Sequence, residues 1–227
     1  MPVLATLRIS LLLAFKSLPL LLLSFIAFLA FGLGNTSLFI LLAGQALVVP
    51  FFTEIIHWLG SKSSWALLPA SDISQLISTP STTTVNVMPS YWMAHISFFF
   101  GYLLSNAVAM YLEKPNLDLI KGASSDVVKS SINAKVGARK EKSLTLIISI
   151  LVFFVLISIL RAVATGAETF SGITFAMVVL GGIGYGWYLF ARVLGATNSD
   201  VFGIAIQMMT PELGATKPKA CVYTGTP

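Results

Sequence analysis

Cysteine is almost missing: the 227 residues contain one, Cys221. A single thiol excludes an internal disulfide framework and a cysteine-based zinc site. Charge is scarce too. Asp, Glu, Lys and Arg make up 10% of the chain, against about 25% in an ordinary soluble domain. The phosphate-cradling pattern G-x-x-x-x-G-K-[ST] does not occur. No histidine lies near Cys221 in sequence, and the apolar runs hold too few carboxylates for a dinuclear metal centre. These shortages argue against an enzyme, and neither a cofactor nor a resident metal is expected.

Hydrocarbon is what the chain has. Hydrophobic residues reach 56% and the mean hydropathy is +0.87. So little polar surface cannot cover a globule in water, so the sequence reads as an all-α, polytopic integral membrane protein. The organising stretch is Tyr91–Leu112, 22 residues with no formal charge apart from the titratable His95. As a helix it is roughly 33 Å long, enough for a hydrocarbon core of roughly 30 Å. Tyr91 and Trp92 mark one boundary and Tyr111 the other, as amphipathic rings do at lipid–water interfaces.

Four further runs resemble it. A retained first span is expected at about Ile9–Phe31, kinked at Pro19 and with Lys16 snorkelling. A second, about Leu38–Leu59, follows the turn Gly32–Ser37. A fourth is Ser143–Leu160 and a fifth Ile173–Leu194. The count is five, or four if the first segment lies in the interface. Residues 60–90 form a Ser/Thr/Pro-rich loop with a short helix at Pro69–Ile77, and 113–142 a basic loop with surface helices of its own. The bundle is thus residues 1–194. Residues 195–227 add a short helix capped by Asp200 and stopped by Pro211, then an extended tail.

The net charge of +5 belongs with lipid headgroups and topology rather than nucleic acid. Ten of the 14 Lys and Arg residues share one face in a five-span chain: the seven of 113–142 with Arg192, Lys217 and Lys219. That face is expected to be the cytoplasmic equivalent. Lys135, Arg139, Lys140 and Lys142 form its partner- or lipid-facing core.

Glu54 and His57, three apart, share a helical face. They lie at a similar depth to His95, and Arg161 returns to the same end. Glu54, His57, His95 and Arg161 are therefore a candidate polar cluster, with Glu54–Arg161 the first pair to draw. The alternative is a small transporter or channel in which Glu54, His57 and His95 line a route. GIGYG at Gly182–Gly186 is similar to the potassium-channel filter pattern, which has a threonine where Gly182 stands. It sits inside one apolar run, so Gly182 and Gly186 read as a G-x-x-x-G helix-packing pair. Asn35-Thr36-Ser37 matches the glycosylation sequon but lies against the bilayer.

The segments PSYWMAHISFFFGYLLSNAVAMY (Pro89–Tyr111), DVFGIAIQMMTPE (Asp200–Glu212) and KACVY (Lys219–Tyr223) give the chain a resemblance. It resembles multi-span membrane proteins encoded by large DNA viruses of algae. That resemblance implies a virion structural role in the internal membrane under an icosahedral shell, as a membrane-embedded minor capsid component. The partners implied are the bilayer and other capsid or membrane proteins, including further copies of the chain. It carries over no functional residues.

Overall fold

The computed structural model describes Ser10, residues 13–60, 88–112, 126–164 and 168–195, and Val201, with side chains of 126–135 and 164 left aside. Expectations for the 61–87 loop, 113–125, the Asp200 helix and the tail lie outside these residues. Among the described residues every regular element is a helix, and there is no strand.

Helix α1 is Leu18–Leu33. Residues 13–16 are helical too, but a turn at Ser17 interrupts the run and Pro19 sits in the first turn of α1. Proline is tolerated there because its missing N–H needs no intrahelical partner. The span expected at about Ile9–Phe31 with a kink at Pro19 is described from residue 13 on, and its irregularity falls at Ser17, two residues before the proline. The 16 residues of α1 give about 24 Å of helix, short of a bilayer core. Gly34 ends α1 in the left-handed region (φ 60°). Asn35 then caps α2 by accepting from the Ser37 amide at 2.9 Å.

Helix α2 is Thr36–Gly60, with a π-turn at Gly44–Val48. Pro50 follows the π-turn and has no N–H to return to the preceding turn, the kind of fault that shifts a helical ladder. Helix α3 is Tyr91–Leu112, with the bounds read from the sequence. Helix α4 is Asp126–Ile159, continued by a π-turn at Leu160–Ala164. Helix α5 is Phe170–Val193, capped by the Thr169 hydroxyl, which accepts from the Gly172 amide. The separate surface helix expected before span four is corrected: from Asp126 onward it is the first part of α4. Gly137 alone punctuates residues 126–143, and Lys, Arg, Glu and Ala all favour helix.

Among the described residues four helices are long and apolar enough to cross a membrane, α2 to α5. That is the smaller of the two counts the sequence allowed. Helix α3 is their axis: 72% of its most apolar stretch is buried, against 28% or less in the other three. It runs parallel to α5 and antiparallel to α4. The α3–α5 seam is the closest. A methyl group at Gly101 would collide with the Gly181 peptide, and one at Gly184 with the Phe98 carbonyl. Farther along, Tyr102 and Tyr188 meet edge to face at 5.3 Å, and Asn106 Nδ2 donates to Tyr188 Oη at 3.2 Å. Against α4, Phe100 packs on Phe154 at 5.3 Å.

Small residues do line the helix contact, but not the expected pair. A Cβ on Gly182 or Gly186 would meet nothing within 4 Å. The residues that need to be small are Gly101, against the Gly181 peptide, and Gly184, against Phe98, because these let two backbones touch.

Candidate functional site

The end of the bundle where α2 and α4 finish and α3 and α5 begin collects the polar residues. The structure sorts them into three separate groups.

The first is on the flank. Glu54 is exposed on α2, and one carboxylate oxygen accepts from the Tyr91 hydroxyl. One turn on, His57 Nε2 donates to the Pro89 carbonyl at 2.6 Å. Its ring stands edge-on to Tyr91 at 5.2 Å. The start of α3 is thereby tied to the end of α2.

His95 forms the second group, one turn deeper along α3. It is buried, and Nδ1 donates to Gln45 Oε1 at 2.7 Å. Gln45 Nε2 in turn donates to the His95 carbonyl at 3.1 Å. Gln45 belongs to the α2 π-turn, which rotates the side chains after it and aims the amide at α3. Gly44 beside it must be small, since a Cβ would run into Phe98 and Trp187. The Trp187 indole donates to the Ile40 carbonyl at 3.0 Å and ties α5 to the helical turn just before the π-turn.

The third group holds the buried charges. Arg161, fully buried in the π-turn after α4, lays its guanidinium 4.6 Å from the centre of the Trp92 ring. Trp92 in turn donates to the Phe15 carbonyl at 2.9 Å. Glu168, 5% exposed just before α5, is the counter-charge. Burial pushes the Glu168 carboxyl above its ordinary range. Ser90, through side chain and backbone, and the Arg161 charge act the other way and do not cancel that push.

The expected pair Glu54–Arg161 is therefore corrected: Glu54 goes to Tyr91, and Arg161 to Trp92 and Glu168. The single cluster of Glu54, His57, His95 and Arg161 is likewise divided. Glu54 and His57 converge on Tyr91 and Pro89, whereas His95 turns into the core toward Gln45. Among the described residues no three His, Cys, Asp or Glu side chains group as metal ligands do.

Sequence reading missed Gln45 and Glu168, and took Trp92 for a boundary ring although it is fully buried beneath Arg161. Glu168 had a signal, being the first acid after Arg161 along the chain. Gln45 had one as well, as a full amide inside an apolar run, where a polar side chain needs a partner. At the opposite end, Lys140 and Lys142 are exposed on α4 and Arg139 is half-buried, while the Lys135 side chain lies outside the described residues. The sequon's Asn35 uses its amide nitrogen to donate to the Val201 carbonyl at 3.2 Å.

No protein-family model matches the chain, and no curated protein and no solved structure matches it either.

Proposed function

We propose that this chain is a structural membrane protein. Its bundle occupies a bilayer, and its loops and tail grip a protein layer beside that bilayer. The membrane under a viral shell is the setting the resemblance implies, with the chain as a minor capsid component among other capsid or membrane proteins. In this reading it performs no catalysis.

One observation carries the proposal. His95, the most deeply placed titratable group of the proposed transport route, is engaged with Gln45 by two hydrogen bonds between α2 and α3. A group that relays protons or coordinates passing ions has to exchange partners, whereas this arrangement locks two helices together. Glu54 and His57 likewise fasten the start of α3 to α2. The intramembrane polar residues thus serve packing, and freely hydrated charge is left to the segments outside.

Two measurements test this. Reconstituted in liposomes, the protein should show proton and cation leak no greater than protein-free vesicles. Lysine-directed cross-linking in native membranes or particles should join Lys142 to a shell protein. Flux that His95→Ala or Glu54→Gln abolishes, or cross-links confined to the chain itself, would overturn the proposal.

A further inference from the structure

Helices α4 and α5 both lie along α3, and between them they leave a crevice of about 330 Å³. Ser97 and Gly101 of α3 form its floor. Leu151 and Phe154 of α4 make one wall, Gly182 and Tyr185 of α5 the other. Apart from the Ser97 and Tyr185 hydroxyls, the lining side chains are apolar or absent. All lie within the three membrane-crossing helices, so the crevice opens on lipid rather than water.

Helical register carries both walls to the same end of the bundle. Two turns beyond Tyr185, on the same side of α5, stands Arg192. Three turns before Leu151, on the same side of α4, stands Lys140. Both side chains are exposed. Glu141 is about 100° round the helix from Lys140 and off this line. The rise from Tyr185 to Arg192 is about 10 Å, and half a hydrocarbon core is about 15 Å deep. An apolar slot therefore leads from mid-membrane toward two cations at headgroup level.

We propose that this crevice is a binding site for one anionic phospholipid. An acyl chain is seated between α4 and α5, and Arg192 and Lys140 hold the phosphate. Charge complementarity selects the occupant: a phosphate with no compensating ammonium suits two cations better than a zwitterionic headgroup. The site is independent of the shell-anchoring role.

The test extracts the full chain from vesicles of equal phosphatidylcholine and phosphatidylglycerol and counts retained lipid by native mass spectrometry. Wild type should keep phosphatidylglycerol over phosphatidylcholine by roughly tenfold. The double variant K140Q/R192Q, altered only at exposed positions, should bring that ratio close to one. Gly182→Leu fills the crevice, since a Cβ there meets nothing within 4 Å, and should strip both lipids. Equal retention by wild type, a preference that survives K140Q/R192Q, or a folded Gly182→Leu protein that still carries lipid would overturn the site. So would a lipid-free wild-type dimer that Gly182→Leu splits, because the crevice would then belong to a second copy. If Gly182→Leu does not fold, the charge variant decides the question alone.

Discussion

Arg161 shows what a buried charge demands of its surroundings. Its guanidinium is fully buried, and a charge left alone in such a place is far costlier than a neutral side chain. The Trp92 face and the Glu168 carboxylate offset that cost. Arg161→Met removes the cation but leaves Glu168 buried, so it should lower stability by about 3–5 kcal/mol near neutral pH. R161M/E168Q should recover most of that loss. The sign of the pH effect follows from Glu168. A carboxyl held above its ordinary value binds its proton more tightly folded than unfolded. Its contribution is complete below 4.5, the ordinary value, and is lost as pH rises through the raised one. Thermal melts across that interval should fall for wild type and stay flatter for Glu168→Gln; parallel curves would refute the assignment. Sequence reading joined Arg161 to Glu54 because both sit at the same membrane end. Depth along a helix is legible in sequence, but direction around it is not, and direction decided the partner.

At the scale of elements, hydropathy marked where helices cross the bilayer. The ends of α3 came out as read, and α2 and α5 came within a few residues. An apolar run bounded by charge or turn residues has few other ways to satisfy its backbone in lipid. Continuity outside the bilayer was less legible. Charged residues before Ser143 look like a separate surface segment, yet they extend α4, because helix propensity does not depend on which solvent the side chains meet. The packing face was also misjudged. Gly182 and Gly186 present the familiar spacing, while Gly181 and Gly184 make the contact with α3. The more informative pattern was S-x-x-x-G at Ser97 and Gly101, in the span already identified as central. The seam can be tested by ranking alanine variants. Gly101→Ala and Gly184→Ala should each cost about 1–3 kcal/mol, since the added methyl meets backbone rather than a movable side chain. Gly186→Ala should stay within about 0.5 kcal/mol, as surface changes do. Unfolding by denaturing detergent gives the order; equal losses at all three sites would mean α3 and α5 are not in close register.

For the molecule as a whole, polarity separates the two ends. One end holds Glu54, His57, Arg161 and Glu168, and the charges of Arg161 and Glu168 are buried together. The other presents Lys140, Lys142 and Arg192 to solvent. Topology follows the Lys and Arg residues near the span ends, largely regardless of neighbouring acids. The end bearing Lys140 and Arg192 should therefore face the cytoplasmic equivalent. Single cysteines in a Cys221→Ser background check this directly. In sealed vesicles of known orientation, an impermeant maleimide should label Lys140→Cys and Arg192→Cys from one side. Trp58→Cys, near the end of α2, should react from the other. The parallel course of α3 and α5 requires this split, since α4 has to bring the chain back across the bilayer between them. Labelling of all three from one side would mean that the helices lie along the membrane rather than through it.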